Sequence, residues 1–483
     1  MYDITIVGLG ATGVSFLRQI QDELYKNHCR NLHVAVINPS SSFAKGNAFG
    51  DSDTVHLLNT PKSMMSMTPT EPDEFSQWLS SFYNIQNNTT PRLAYSDFIQ
   101  QTYNDIKNSE VMKIDEWRCS VKSIVKSECN FKVQTDNDKV IYSKKVVLSL
   151  GALASELFPE FKKNDCFITH FSRFDSSSTK PLLIAGSGLT AVDAFRYARS
   201  QSNADIHLYS RNGYIPTCIS SKVNYIPRYL TWRNIIRESQ GNGGLLKSFS
   251  YLMRRELICI DKKNEFWDAM RFVKKGEYIS YFDFLSNRAK KGNLPFQDIL
   301  VSTRPYMHKL WAGLCLDEKR KFMNSFSSLW MAWRHPIPQE TFEEISQSVL
   351  EGKLFFHKSS SPPIFKGGKF ILNVGNENLS FQQMWDATGG SLKIEKMEIP
   401  LIKSLLSNRL IEGNPCGGIN VDPLTFQCKV NDKNINGLYN LGPLSKGSIF
   451  STNAFWFNSK CAGVLAQNMV AEYNKSFFTE FSL

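Results

Sequence analysis

The sequence predicts an α/β fold: two Rossmann-like units, the second carrying a largely helical insertion. Three observations predict it. A short apolar strand, a glycine turn and an amphipathic helix occupy residues 2–24, the same order returns over residues 181–195, and residues 216–340 combine helical periodicity with a concentrated positive charge.

In the first of these segments Ile4, Ile6 and Val7 form an apolar run broken only by Thr5. The sequence GLGATG follows with Gly8, Gly10, Ala11, Thr12 and Gly13, and Val14, Leu17, Ile20 and Leu24 then recur at helical spacing. Gly8 permits a tight turn, Gly10 lets backbone approach a pyrophosphate, and Gly13 lets helix pack on strand. An anion would meet free N–H groups at the positive end of the helix dipole. Glycine triplets also occur in ordinary turns; the place directly between strand and helix is what favours a nucleotide. The second strand, residues 33–38, ends in Asn38 where such sites normally carry an acid for the ribose hydroxyls. Asparagine can accept the same hydrogen bond without charge.

Residues 43–78 contain KGNAFG, HLLNTPKSMMSM and TPTEPDEFSQWL, a stretch too long for a plain connection. Met64, Met65 and Met67 fit either core filling or a binding surface. Asn59, an amide with few polar neighbours, needs partners that a ligand ring edge would supply. A helix is expected over 73–82. Alternating runs over 117–138 predict a β-meander, and KKVVLSLGALAS a returning strand ending at Gly151, where backbone would pass close to a cofactor. The serine-rich run 175–180 predicts a boundary, giving a first domain over 1–178.

PLLIAGSGLTAVDAF repeats the opening pattern with Gly186, Ser187, Gly188, Leu189, Thr190 and Ala191. The next strand, 205–209, ends in Ser210 and Arg211. A hydroxyl and a guanidinium in place of an acid suit a 2′-phosphate, so NADPH is preferred to NADH; a solvent-facing turn is the alternative for Arg211. Helices are expected around 229–238, 247–259, 265–274 and 318–333, within an insert at 216–340 of a second domain over 179–380. Strand-like runs resume over 353–387. Residues 381–483 close the first domain and end in a helix over 453–473, which Thr452 or Asn453 would cap.

Apolar residues at 42% and charged residues at 21% of 483 argue against disorder. No apolar run approaches the roughly 18 residues of a membrane helix. A strand that begins at residue 3 predicts no secretory leader and hence a cytoplasmic protein. Ten cysteines lie without a CxxC or Cys/His cluster, which predicts reduced thiols, no zinc site and no cysteine pair for disulfide reduction. Residues 215–340 hold 21 Lys/Arg against 11 Asp/Glu, a surplus of 10 within the net charge of +11. Their interleaving with Tyr225, Tyr229, Trp232, Phe249, Tyr251, Phe266 and Trp267 suits a solvated helical domain first, and nucleic acid or a polyanion second.

The segments GLGATG, KGNAFG with HLLNTP and EPDEFSQWL, GSGLTAVD with HLYSRNGYIP, MWDATGG and LYNLGPLSKG together resemble the two-dinucleotide-binding flavoproteins. The resemblance runs over nearly the whole length and is closest to a family of FAD/NAD(P)-binding proteins. It implies FAD on Gly8, Gly10 and Gly13, NADPH on the second turn, crossings between domains at Gly151 and Gly389, and a closing FAD loop from Gly442 to Gly447. Gly442-Pro443 stands where many related flavoproteins carry Gly-Asp, so a carboxylate contact to the FAD ribitol chain is not expected. The loop of Asn59 is similar to one in flavin-containing monooxygenases whose Asn faces the flavin C4a edge. On that similarity Asn59 is catalytic and holds the C4a-hydroperoxyflavin by a hydrogen bond of about 1.5–3 kcal/mol.

The implied activity is NADPH-dependent oxygenation of a nucleophilic heteroatom, foremost N-hydroxylation of a small amine or amino acid. The alternatives are an FAD-dependent oxidase or dehydrogenase, and a flavin-containing binding protein whose basic insert docks RNA or an acidic carrier. Expected partners are a small-molecule substrate and oxygen, with no membrane and with a homo-oligomer left open. Lys62, Arg334 and His335 are candidates for a substrate carboxylate, or else ordinary surface and structural residues.

Overall fold

Ile4, Ile6 and Val7 are buried and so is the intervening Thr5. A short run enclosed on both faces belongs in the middle of a covered parallel sheet. Tyr2–Val7 takes that place, paired in parallel with Leu32–Ile37 on one side and Val140–Leu148 on the other. The computed structural model describes residues 1–83, 90–155, 157–219, 225–241, 243–260, 265–291 and 294–480. It divides into two units: Met1–Thr54 with Thr60–Ala154 and Gly390–Leu483, and Val55–Asn59 with Ser155–Gly389. The serine-rich run 175–180 lies inside the second unit, where Gln383 Oε1 accepts from the Asp175 N–H at 3.2 Å.

The sheet of the first unit runs Gln427–Val430, Lys433–Asn440, Val140–Leu148, Tyr2–Val7, Leu32–Ile37, Met112–Trp117. The pair Val121–Lys126 and Phe131–Thr135 joins it along Val140–Leu148, which is the expected meander. The helix Ala11–Lys26 buries Val14, Leu17, Ile20 and Leu24, the four positions its periodicity marked, and packs on the terminal helix Phe455–Glu480. Their contact is tight: a Cβ on Gly463 would lie 2.2 Å from Gln19 Oε1, and Gln19 Nε2 donates to the Ser459 carbonyl at 2.9 Å. Met65 and Met67 are core filling, and the Met67 carbonyl collects the hydroxyls of Ser15 (2.5 Å) and Ser459 (2.8 Å). Thr452 does not cap the terminal helix. A 3-10 turn, Ser451–Asn453, precedes that helix, and the buried Thr452 Oγ1 has no partner.

In the second unit five parallel strands run Leu354–Lys358, Ile206–Ser210, Leu182–Ala185, Gln383–Asp386, Phe167–Ile168. A separate antiparallel sheet is made of Ile364–Lys366, Lys369–Val374 and Glu377–Phe381. The insert leaves after Ile206–Ser210 and returns before Leu354–Lys358 as helices. Three of the four expected helices are present as Trp232–Ser239, Leu245–Ile260 and Glu265–Lys275. The fourth is two, Leu316–Ser325 and Ser327–Trp333, broken at Phe326, whose φ of −120° lies outside the helical range. Tyr278–Lys290, Pro295–Ser302, Met307–Gly313 and Gln339–Leu350 add four more.

The insert has its own core. Trp333 is fully buried, edge-on to Phe266 and stacked on Tyr281. Glu256 is buried as well, an expensive place for a charge unless it is fully bonded. Its carboxylate accepts the backbone N–H groups of Arg228 (2.9 Å), Tyr229 (2.5 Å) and Leu230 (2.7 Å) and the Tyr225 hydroxyl. Glu256→Ala strands those donors and should destabilise the protein by roughly 3–5 kcal/mol, with Glu256→Gln intermediate; chemical denaturation read by tryptophan fluorescence measures both.

Candidate cofactor sites

Each unit carries one glycine turn, and the two turns share their geometry. In the first, the Gly8 N–H donates to the Ile37 carbonyl (2.9 Å) and the Ser149 N–H to that of Val7 (2.8 Å). In the second, the Gly186 N–H donates to Tyr209 (2.7 Å) and the Ala387 N–H to Ala185 (2.8 Å). Gly8 has φ +95°, and a Cβ there would lie 2.4 Å from the Ser149 oxygen; Gly186 has φ +130°, and a Cβ would lie 2.3 Å from the Ala387 oxygen. Two residues beyond these oxygens sit Gly151 (φ +72°) and Gly389 (φ +85°), each with open space where a Cβ would stand.

Both helices that follow begin uncapped. Gly10 heads Ala11–Lys26 and Gly188 heads Leu189–Gln201, neither offering a side chain to the first N–H groups, and neither first turn contains an acid. Orphan donors at a helix start without a competing carboxylate fit a dinucleotide pyrophosphate.

Around the first turn the structure gathers Asn38, Thr12, Gly46 and Gly442. Asn38 is buried and spends its amide on the turn: Oδ1 accepts the Leu9 N–H at 3.0 Å and Nδ2 donates to Ser42 Oγ at 3.0 Å. Gly46, not anticipated as a site residue, meets Gly10 so closely that a Cβ on it would lie 2.8 Å from the Gly10 Cα. The glycines of KGNAFG were the available signal. Gly442 (φ +96°) has only Thr12 Oγ1 nearby, 3.8 Å from its would-be Cβ, so the closing loop reaches the first turn there. Gly447 is instead a packing glycine, its would-be Cβ 2.2 Å from the Gly417 oxygen.

The same segment holds buried oxygens without partners among the described residues: Asn440 Oδ1, Ser451 Oγ, Thr452 Oγ1 and Asn458 Oδ1. Polar atoms stranded beside the loop fit a large polar ligand seated in this unit. Burial pushes the Lys446 ammonium down to about 8.

Around the second turn, Ser187 Oγ donates to the Tyr214 carbonyl at 2.5 Å. Gly188 and Thr190 are exposed and Leu189 is half-buried. Ser210 Oγ accepts the Gly213 N–H at 3.0 Å, and Arg211 beside it is exposed, with no ion pair among the described residues. A free guanidinium and a hydroxyl at this strand end suit a phosphate.

Asn59 belongs to the second unit, through Val55–Asn59. His56 anchors that segment: its Nε2 lies 3.3 Å from the Asp193 carbonyl of Leu189–Gln201, and its ring faces Tyr197. Asn59 is half-buried with no hydrogen bond among the described residues. Lys62 falls in the first unit and Arg334 in the second, and His335 Nδ1 lies 3.1 Å from the Met331 carbonyl of the helix that precedes it. The described residues contain no cluster that could hold a metal ion, the ten cysteines are free, and no described helix is long and apolar enough to cross a membrane.

Residues 5–153 match the family model of FAD-NAD(P)-binding proteins. No curated protein matches the chain in sequence. Among solved structures, the ornithine N-hydroxylase of Kutzneria sp. 744, with reduced FAD, NADP+ and L-ornithine, matches with a TM-score of 0.61 at 10% identity, over 98% of this chain and 100% of that one. The L-lysine 6-monooxygenase of Pseudomonas syringae matches with 0.59 at 13% identity, over 98% and 99%. The FAD-bound cadaverine monooxygenase of Erwinia amylovora gives 0.58 at 13% identity, over 98% and 95%. Residues 5–153 are thus an FAD/NAD(P)-binding domain, and the whole chain has the two-dinucleotide fold of the flavin- and NADP-binding monooxygenases.

Proposed function

We propose that the protein is an NADPH-dependent flavin monooxygenase that hydroxylates the nitrogen of a small amine or amino acid. The observation that carries this reading is the pair of uncapped, glycine-led helix starts, one in each unit, within a fold shared end to end with ornithine, lysine and cadaverine monooxygenases. FAD and NADPH, when bound, would supply the hydride transfer and the reduction of oxygen.

The chain's own residues bind and orient. The N–H groups of Ala11 and Thr12 take the FAD pyrophosphate, and the turn that presents them is held by Asn38, Ser149 and Gly46. The N–H groups of Leu189 and Thr190 take the NADPH pyrophosphate, and Arg211 with Ser210 takes its 2′-phosphate. Asn59, held through His56, offers two amide donors to the reacting oxygen atoms and lengthens the time over which a substrate nitrogen can attack them.

Holoprotein supplied with NADPH and oxygen, and offered ornithine, lysine and cadaverine in turn, tests the reading directly. N-hydroxylated product from at least one amine is expected; peroxide as the sole product with every amine would count against it. Three variants divide the roles. Gly188→Ala meets no protein atom within 4 Å and has an ordinary backbone conformation, so its melting temperature should match wild type. Its NADPH affinity, measured by titration, should fall about tenfold if a ligand lies against that glycine. Arg211→Ala should weaken NADPH roughly 10- to 100-fold and leave NADH unchanged in steady-state kinetics, since a charge-assisted phosphate contact is lost. Asn59→Ala should retain FAD while releasing more peroxide per NADPH consumed; unchanged coupling would remove Asn59 from the chemistry.

A further inference from the structure

Arg334, the residue that ends the helix Ser327–Trp333, is 3% exposed, and among the described residues neither its Nε nor its Nη2 has a hydrogen-bond partner. These two nitrogens form one side of the guanidinium, the edge whose N–H bonds run parallel and engage two oxygens at once. No carboxylate pairs with it among the described residues. Burial lowers the Arg334 pKa, and a second guanidinium, that of Arg304 in the turn between Pro295–Ser302 and Met307–Gly313, lowers it further. The Trp330 ring lies 5.8 Å from the Arg334 guanidinium carbon, and its Nε1, a donor only, also lacks an acceptor. A buried guanidinium edge that finds no acceptor is costly in an isolated protein and is stabilised by an anion. The helix C-terminus favours the positive charge but supplies no acceptor to this edge.

We propose that the helical insert holds a buried oxyanion site, in which the Nε–Nη2 edge of Arg334 grips two oxygens of a carboxylate or phosphate group and Arg304 adds charge. Out of water, two parallel charge-assisted bonds are at their strongest. The site belongs to the insert alone and does not depend on the flavin reaction.

The test uses the full-length, FAD-loaded protein in chloride buffer at fixed ionic strength, titrated separately with inorganic phosphate, acetate and succinate, with unfolding temperature and binding heat recorded. A saturable stabilisation by phosphate alone marks a phosphate-bearing ligand, and one by acetate or succinate alone a carboxylate-bearing ligand. Arg334→Met should abolish the response and, without added anion, melt at or above wild type, because an unbalanced buried charge has gone. Arg334→Lys should keep the fold and bind at least about tenfold more weakly, since lysine lacks the fork. Arg211→Ala should respond as wild type, which separates this site from the dinucleotide turn. Equal responses in wild type and Arg334→Met, no response to any of the three anions, or an Arg334→Met protein that melts well below wild type in chloride would each overturn the proposal.

Discussion

The two units depend on one steric constraint, backbone laid against backbone at the end of a central strand. At Gly8 and again at Gly186 the chain turns beneath the carbonyl of a residue from the neighbouring parallel strand, at distances that leave no room for a Cβ. That approach lets the next helix start without a side chain in front of it. Gly13 continues the constraint in the first unit, since a Cβ there would lie 2.6 Å from the Gly8 oxygen. Substituting any of these residues would strain the backbone or part the strands that flank the turn. The uncapped start of each helix follows from the same close contact.

What differs between the units is the furniture around equivalent turns. The first closes its turn with other parts of the chain: the Asn38 amide, Gly46 pressed on Gly10, and Gly442 beside Thr12. The second leaves its turn open, with Gly188 and Thr190 in solvent and an unpaired Arg211 at the strand end. A cofactor that stays needs enclosure, while one that enters and leaves on each turnover needs access, and the proposed division between FAD and NADPH rests on that physical difference. Fold alone does not decide the chemistry.

The turns were legible because their signals are local: a strand, three glycines and a helix within some twenty residues need no knowledge of the rest. The basic insert was legible as helical for the same reason. Tyr278–Lys290 was missed although Tyr278, Tyr281, Phe282, Leu285 and Ala289 fall on one buried face, because aromatic residues read as readily for strand as for helix. The break at Phe326 carries neither glycine nor proline and is imposed by packing. Gly46 against Gly10, the attachment of Asn59 to the second unit through His56, and the unpaired edge of Arg334 all join residues distant in sequence. Nothing in a linear pattern encodes such contacts. Asn38 shows the converse: position alone marks it as a candidate for the ribose, yet its amide is largely taken up by the turn itself.

The central claim is that the enclosed first turn holds FAD and the open second turn holds NADPH. A crystal structure of the protein with both FAD and NADP+ measures this most directly. The account predicts the FAD pyrophosphate against the N–H groups of Ala11 and Thr12, and the NADP+ 2′-phosphate within hydrogen-bond distance of Arg211. The two cofactors exchanged, or a 2′-phosphate turned away from Arg211 into solvent, would contradict it.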